Sequence, residues 1–137
     1  MKDHVLVDGR GVPVSVVVTA ANVNDHLALP AVLTNHAVVR PRPTAATPQH
    51  LCLDAAYDNE PTRQVLCREY YVPHIAPTSG RAQDAPSHPG GQARRWVVER
   101  THAWFDRFRR LVVNWEKLPE SRYAFLCLAS ALMAFRF

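Results

Sequence analysis

Two acidic residues in this sequence occupy positions from which they could do chemistry. Asp54 follows the short apolar segment His50–Leu53, and Glu99 lies inside RRWVVERTHAWFDRFRRL (Arg94–Leu111), among six arginines. Carboxylate oxygens are the hard ligands that Mg²⁺ selects, and guanidinium groups bind phosphate. If Asp54 and Glu99 lie close together, they could share divalent cations that activate a water or a 3′-hydroxyl against a phosphodiester. This is the outline of a nuclease or strand-transfer site.

The positive charge of the chain is concentrated in the same segment. The whole chain carries a formal charge of +4, from 16 lysines and arginines against 12 acidic residues. Six arginines less Glu99 and Asp106 give +4 for this segment alone, so the remainder sums to zero. A localised excess is typical of a face that binds the phosphates of nucleic acid. The candidate DNA-binding residues are Arg94, Arg95, Arg100, Arg107, Arg109 and Arg110.

Both acids also have ordinary structural interpretations. A glutamate on the polar face of a helix is usually solvated, and Arg95 precedes Glu99 by four residues, the spacing of a helical ion pair. An aspartate at the end of a strand is often a turn or cap residue. However, Asp58 and Asn59 can cap the helix that follows, so Asp54 is not required for that role. Both interpretations of each acid stay open at this point.

Length and composition indicate one globular domain over residues 1–137. The chain is 47% hydrophobic and 20% charged, which is typical of a folded protein rather than a disordered one. Three cysteines without CxxC spacing indicate neither a disulfide framework nor a zinc ribbon, and they favour a reduced, cytoplasmic setting. The first residues lack a signal peptide's apolar run, and the longest apolar segment, Tyr123–Phe135, is shorter than the ~20 residues that span a bilayer. We therefore expect no contact with a membrane.

Strand and turn signals predict a mixed α/β fold. Two β-branched runs within His4–Thr19 flank Asp8–Gly11, which is a strong hairpin signal. His50–Asp54 and Tyr71–Ala76 are predicted strands on either side of a helix over Asn59–Tyr70. This strand, helix, strand order predicts a parallel βαβ unit, and together with the hairpin it predicts one mixed sheet.

The rest of the chain divides into helices and loops. Further helices are predicted over His26–Val38, Gln92–Trp115 and Glu120–Arg136, with loops over Arg40–Gln49 and Pro77–Gly91. At about 100° per residue, the middle helix gathers its apolar residues in one sector and turns Glu99 to the opposite side. The sector consists of Val97, Thr101, Trp104, Phe105, Phe108, Leu111, Val112 and Trp115. We therefore expect Trp96, Trp104 and Trp115 to pack in the core or between helices rather than to stack on bases, with Trp96 the weakest case for burial.

The segments around both acids resemble the motifs of a known enzyme family. LCLDAAYD (Leu51–Asp58) and RRWVVERTHAWFDRFRRL (Arg94–Leu111) are similar to the second and third catalytic motifs of bacterial DDE transposases of the insertion sequence five group. HVLVDGRGVPVSVVVTAANVNDH (His4–His26) resembles the segment that precedes the second motif in that group. The similarity runs over nearly the whole chain, and three motifs in the right order are more specific than any one of them.

This resemblance implies a fold, a chemistry and roles for single residues. It implies an RNase H-like mixed sheet flanked by helices, and metal-dependent cleavage and joining of DNA at transposon ends. Asp54 would be the second acid and Glu99 the third of an Asp, Asp, Glu triad that binds Mg²⁺ or Mn²⁺, while Arg95 would contact phosphate or position Glu99. The partners would be DNA, at the transposon ends and at the target, and a second copy in a homodimer. The location would be the bacterial cytoplasm, at the nucleoid.

The sequence departs from the family's pattern at several positions. The early tyrosine of the family's signature would fall on Gln92, and Ala56 replaces a commonly seen glycine. The late lysine would fall on Asp106, next to Arg107, which could supply the missing charge. These departures concern the residues around the acids rather than the acids themselves.

The first aspartate of the triad is the larger departure. In the family it lies on a central strand upstream of the hairpin, whereas Asp3 falls just before the hairpin and Asp8 belongs to its turn. We therefore expect a partial catalytic domain truncated at its N-terminus, with the first strand missing, weak Mg²⁺ binding and little or no activity. The alternatives are a non-catalytic DNA-binding remnant that uses the basic helix 94–110, and an inert product of a decayed gene.

Overall fold

The chain divides into two units, as a computed structural model that describes residues 1–36, 38–75 and 95–136 shows. Unit 1 comprises Met1–Val39 and Trp96–Phe137, and unit 2 comprises Arg40–Arg95. The predicted loop Pro77–Gly91 and the first residues of the helix predicted from Gln92 lie outside the described residues.

Unit 1 opens with a β-hairpin. Strand β1 (Lys2–Val7) pairs antiparallel with strand β2 (Pro13–Thr19). In the turn between them, the Asp8 carboxylate accepts hydrogen bonds from two backbone N–H groups, each at 2.9 Å. Gly11 completes the turn with a φ of +91°, a conformation that glycine adopts without steric cost. The predicted hairpin and the turn role of Asp8 are confirmed.

Helix α1 (Asp25–Thr34) follows the hairpin and packs on both of its strands. Its buried side chains are Ala28, Leu29, Val32 and Leu33. The sequence predicted a helix as far as Val38, but the chain leaves the helix at Asn35. The Asn35 side-chain amide donates to the carbonyl oxygen of Val16 at 3.0 Å, so a contact with β2 replaces the next helical turn.

Unit 2 contains the predicted strand, helix, strand arrangement. Strand β3 (Gln49–Leu53) pairs in parallel with strand β4 (Tyr71–Ile75), and helix α2 (Glu60–Arg68) connects them. The side chain of Asn59 caps α2 by accepting from the backbone N–H of Thr62 at 2.9 Å. Among residues 40–75 of the unit, the buried ones are Leu51, Thr62, Leu66 and Tyr71. The parallel βαβ unit is confirmed.

In the described part of the chain, the four strands pair as two separate two-stranded sheets. The α/β class is confirmed, whereas the prediction of one mixed sheet that includes the hairpin is not reproduced. Turn residues and a βαβ pattern are short-range signals that specify each pair of strands. Neither signal specifies whether a strand of one pair lies beside a strand of the other. The sequence pattern was therefore insufficient to predict one sheet.

The helix predicted over Gln92–Trp115 is two helices in the described residues, α3 (Arg95–Phe105) and α4 (Arg109–Val112). In an unbroken helix, Phe105 and Leu111 would lie about 120° apart around the axis. The turn between α3 and α4 instead allows both side chains to join one buried cluster. The prediction of a single helix is therefore wrong, and packing of the core explains the break.

Helix α5 (Pro119–Ala134) supplies three of the six residues of a buried hydrophobic cluster in unit 1. It begins at Pro119, one residue before the predicted start at Glu120, and it packs on β2. This cluster consists of Val16, Phe105, Leu111, Leu126, Ala129 and Met133. The α5 members recur at spacings of three and four residues, which places them on one face of the helix. Neither α5 nor any other helix of the described residues is long and apolar enough to cross a membrane.

A buried ion pair fastens β1 to α5. Asp3 lies within β1, not before it as the sequence suggested, and Arg122 on α5 is only 8% exposed. The Asp3 carboxylate accepts from Arg122 Nη2 at 2.5 Å and from Nε at 3.2 Å. Arg122 Nη1 also donates to the carbonyl oxygen of Arg110 at 3.3 Å. One guanidinium group therefore joins β1, α4 and α5.

Candidate functional site

Asp54 lies directly after β3, at the carboxyl end of the parallel strand pair in unit 2. Its side chain is exposed, and Oδ1 accepts a hydrogen bond from the backbone N–H of Ala55 at 2.6 Å. The carboxyl ends of parallel strands are where open α/β sheets bind their ligands. The predicted position of Asp54 at the end of a strand is confirmed.

Asp54 also has a local structural role that the sequence analysis did not assign. It is the N-cap of a short 3₁₀ helix, Ala55–Tyr57. The prediction that the following helix α2 does not need Asp54 as its cap is confirmed, but Asp54 caps the short 3₁₀ helix that the sequence did not reveal. Asn59 caps α2, and Asp58 pairs with Arg63 at 2.6 Å. A substitution at Asp54 therefore changes a backbone cap as well as a candidate ligand.

Glu99 lies on the exposed side of α3 in unit 1. The other side of this helix carries Val97, Thr101 and Phe105, all of which are buried. The predicted orientation of Glu99, opposite the apolar sector, is therefore confirmed. The ion pair between Glu99 and Arg95 stays a prediction, because the side chain of Arg95 lies outside the described residues.

The turn of the hairpin holds α3 in place next to Glu99. The buried hydroxyl of Thr101 donates to the carbonyl oxygen of Gly11 at 2.8 Å. The guanidinium of Arg100 donates to the carbonyl oxygen of the neighbouring turn residue, Arg10. The two residues that follow Glu99 are thus both bonded to the hairpin. A carboxylate on a backbone fixed in this way is suited to hold a ligand in a defined geometry.

Replacement of Gly11 by alanine is expected to loosen this contact. The φ of Gly11 disfavours any side chain, and a Cβ atom would lie 3.0 Å from Arg100 Nη2 and 3.2 Å from Thr101 Oγ1. We expect the free energy of unfolding to fall by about 1–3 kcal/mol, the usual cost of a residue held in a rare backbone region. Urea denaturation followed by circular dichroism measures this change.

Gly9→Ala is the matched control for this prediction, because it lies in the same turn. Among the described residues, the glycine with positive φ is Gly11. We expect Gly9→Ala to change the free energy of unfolding by less than about 0.5 kcal/mol, as exposed substitutions usually do. Equal losses in the two variants would contradict the role assigned to Gly11.

The six candidate DNA-binding arginines do not share one helix. Arg94 lies outside the described residues, as does the side chain of Arg95 at the start of α3. Arg100 on α3 contacts the hairpin turn, and its guanidinium carbon lies 5.1 Å from the centre of the Trp96 ring. The remaining three, Arg107, Arg109 and Arg110, follow the end of α3. Arg100 therefore has a structural role. Among the described residues, the candidate arginines that are exposed lie in the segment after α3.

The three arginines after α3 are exposed and differ in their contacts. The guanidinium carbon of Arg107 lies 4.6 Å from the centre of the Trp104 ring. Arg110 Nη1 pairs with Glu116 Oε1 at 3.0 Å. Arg109 forms no hydrogen bond or ion pair with a side chain among the described residues. Arg107 and Arg109 can therefore bind phosphate without giving up an acidic partner.

The exposure of two tryptophans shows that the predicted packing of these residues was partly wrong. Trp104 is half-buried, but Trp96 is 55% exposed and Trp115 is 75% exposed. Val112, from the same predicted sector as Trp115, is also exposed. Because the helix breaks after Phe105, the periodicity of one continuous helix does not extend to Val112 and Trp115. Val113 and Asn114, which follow the end of α4, are poor helix formers and were the signal that the helix does not reach Trp115.

The two candidate acids belong to different units of the chain, Asp54 to unit 2 and Glu99 to unit 1. Among residues 1–36, 38–75 and 95–136, no group of three or more His, Cys, Asp or Glu side chains is arranged to hold a metal ion. Each acid is nevertheless exposed, on an ordered element. The convergence of the two carboxylates on shared cations stays a prediction.

Comparison with known proteins adds an independent line of evidence. The family described as "Transposase DDE domain" matches residues 1–134. A curated relative from Burkholderia cepacia, named "Putative transposase for insertion sequence element IS402", is 35% identical over 142 residues. The match covers 96% of this chain and 61% of the relative, so the chain spans about three fifths of that protein's length. No solved structure matches the chain significantly.

Proposed function

The chain belongs to the family of transposases with a DDE domain, and on this basis we propose that it is part of an enzyme that cleaves and joins DNA at the ends of an insertion sequence. The more specific parts of the proposal are membership of the insertion sequence five group and an RNase H-like fold. Within that fold, residues 1–137 would form the C-terminal part of the catalytic domain.

The proposal extends to partners and location. DNA at the transposon ends and at the target is the proposed substrate. A homodimer is the proposed assembly, and the bacterial nucleoid is the proposed location. The concentration of exposed arginines in the segment after α3 supports DNA as the partner, since guanidinium groups form bidentate contacts with phosphate.

The observation that carries the proposal is the placement of Asp54 and Glu99. Each is an exposed carboxylate on an ordered backbone, one after β3 and the other on α3. We propose that they act as the second and third acids of the triad and together bind Mg²⁺ or Mn²⁺. The donor chemistry fits, because Mg²⁺ is commonly held by one or two carboxylates, with water and substrate phosphate completing its coordination.

The proposed reaction is a displacement at a phosphodiester. The chemistry that bound divalent cations supply is activation of a water or 3′-hydroxyl and stabilisation of the leaving oxygen. The contribution of Asp54 and Glu99 is to hold negative charge where those cations bind. The contribution of Arg107 and Arg109 is to fix the DNA backbone, so that the scissile phosphate stays in line with the attacking oxygen.

We propose that this chain by itself has little or no activity, because the carboxylates of Asp3 and Asp8 both already have partners within unit 1. Asp3 pairs with Arg122, and Asp8 accepts two N–H groups of its own turn. Neither is therefore suited to serve as the first acid of the triad. A site with two protein carboxylates binds Mg²⁺ weakly, since each missing anionic ligand removes binding free energy.

Titration of the chain with Mn²⁺ tests the metal role of the two acids. We expect Asp54→Asn and Glu99→Gln each to weaken Mn²⁺ binding by about tenfold or more, since loss of even an outer-shell partner often has that effect. Electron paramagnetic resonance of free Mn²⁺ measures the binding. The matched control is Glu120→Gln, at an exposed acid in the first turn of α5, which should leave binding unchanged.

Unchanged Mn²⁺ affinity in both variants would overturn the metal role and favour a second candidate function. This is a non-catalytic DNA-binding remnant that uses the basic segment 94–110, and the exposure of Arg107, Arg109 and Arg110 is the observation in its favour. Robust Mg²⁺-dependent strand transfer by this chain, on DNA that carries the insertion-sequence ends, would contradict the proposed low activity.

A further inference from the structure

An open pocket lies beside α4 in unit 1. Its volume is about 380 Å³, and it is lined by Arg109, Arg110 and Trp115. This volume lies within the range of about 300–1,000 Å³ that is usual for small-molecule sites. Two cations beside one aromatic ring favour a ligand that carries both negative charge and a flat ring.

Trp115 presents its indole ring to solvent from an ordered turn. Its side chain is 75% exposed, although burial of such a ring would be favourable. The backbone N–H of Trp115 donates to the carbonyl oxygen of Val113 at 3.1 Å, and that of Glu116 donates to the Asn114 side chain at 3.2 Å. A large apolar group exposed on an ordered backbone is typical of an interaction site.

The two arginines of the pocket differ in how firmly they are held. Arg110 is fixed by its ion pair with Glu116 and by the Phe125 ring, whose centre lies 5.4 Å from the guanidinium carbon. Arg109 has no such partner among the described residues, so its five N–H donors remain for a ligand. The guanidinium of Arg110 is thus held on one side of the pocket, and that of Arg109 is able to turn towards a bound anion.

We propose that this pocket binds an unpaired nucleotide of the DNA, with the base stacked on Trp115 and its phosphate between Arg109 and Arg110. The inference rests on the proposed function and specifies which part of the DNA the segment after α3 contacts. Aromatic side chains stack on any base, because every base has a π-face. Within a duplex both faces of a base are covered, so the base must lie in a single strand, at a frayed end, or outside the stack.

A second copy of this chain fits the pocket less well. Val112, Val113 and Leu118 are exposed nearby and would suit a protein interface. A symmetric contact through the pocket would, however, bring the arginines of both copies together, and like charges across an interface are unfavourable. A nucleotide satisfies both the exposed ring of Trp115 and the guanidinium of Arg109, which is why we favour it.

Binding of a short fluorescent oligothymidine to the full chain in EDTA, measured by anisotropy, tests this proposal. We expect Trp115→Ala to weaken binding by about tenfold, as loss of one stacked base commonly does. Trp115→Phe should keep most of the affinity, whereas Trp115→Leu, which retains apolar bulk without a ring, should behave like alanine. The same strand with abasic sites should bind weakly to the wild type and be insensitive to Trp115→Ala.

Equal affinity of the wild type and Trp115→Ala for oligothymidine overturns the proposal. Tight binding by Trp115→Leu also overturns it, because apolar bulk would then suffice. If Trp115→Ala changes the sedimentation of the chain but not oligonucleotide binding, the pocket serves a second copy and the proposal fails. Because EDTA removes metal ions, this result is independent of the Mn²⁺ test of Asp54 and Glu99, and failure of one leaves the other standing.

Discussion

Replacement of Arg122 by alanine is expected to lower the free energy of unfolding by about 3–5 kcal/mol, because it leaves the Asp3 carboxylate without a partner in a mostly buried position. The side chains of Arg122 and Asp3 are 10% and 20% exposed. The substitution also removes the bond to the carbonyl oxygen of Arg110, so β1, α4 and α5 lose their common contact. Urea denaturation of the full chain at neutral pH measures the loss.

Two further variants show whether the buried pair is responsible. Lys2→Ala removes a cation from an exposed pair with Asp25, with an N···O distance of 3.1 Å, and should cost no more than about 1 kcal/mol. Asp3→Asn combined with Arg122→Met removes both charges and should recover part of the stability that Arg122→Ala loses. The role of the pair is refuted if Arg122→Ala costs no more than Lys2→Ala.

The affinity of the chain for duplex DNA is expected to fall steeply with salt, and the double variant Arg107→Ala/Arg109→Ala should lose part of this dependence. Each neutralised phosphate contributes a slope of about −0.9 to the plot of log affinity against log salt. Loss of two contacts should therefore flatten the slope by about 1.8, or about tenfold in relative affinity between 50 and 200 mM salt. Anisotropy of a labelled duplex, without metal ions, measures both slopes.

The double variant Arg63→Ala/Arg68→Ala is the charge-matched control. It removes the same two positive charges from unit 2, where each arginine pairs with an acid, Asp58 or Glu69. We expect its salt slope to match that of the wild type. Equal flattening in both double variants would show that net charge, rather than the segment after α3, governs binding.

Elements specified by neighbouring residues could be predicted from the sequence. The hairpin follows from β-branched runs around Asp8–Gly11, and the structure places two hydrogen bonds to the Asp8 carboxylate in that turn. Helix α5 begins at Pro119, which is favourable in a first helical turn. In these cases one short segment contains both the signal and the contacts that it forms.

Elements specified by distant contacts could not be predicted in the same way. Helix α1 ends where Asn35 bonds to β2, and the break after α3 allows Phe105 and Leu111 to share a core with α5. The end of α1 and the break after α3 both depend on contacts with residues far away in the chain. The exposure of Trp115 is a consequence of the second, so the pocket could not be anticipated from helical periodicity.

The positions and exposure of the two candidate acids could be predicted from the sequence, whereas the contacts around them could not. Asp54 and Glu99 were singled out by residue type, by position after an apolar strand and by charge context, and both are exposed as expected. The cap that Asp54 provides for a 3₁₀ helix could not be predicted, because a helix of three residues is too short to show a periodic pattern in the sequence. The bond from Arg100 to the hairpin was missed because it joins residues 90 positions apart.

Unit 1 is discontinuous in sequence, since Met1–Val39 and Trp96–Phe137 are separated by all of unit 2. On the ribosome, β1, β2 and α1 therefore leave the exit tunnel well before α5, which packs on β2 and completes the core. Unit 2 has all of its own residues as soon as it is synthesised. During this interval the valine-rich strand β2 is unprotected on the side that α5 later covers, and an apolar strand in that state readily associates with other chains. We therefore expect the nascent hairpin to be the part of this protein that is most prone to aggregation before synthesis is complete.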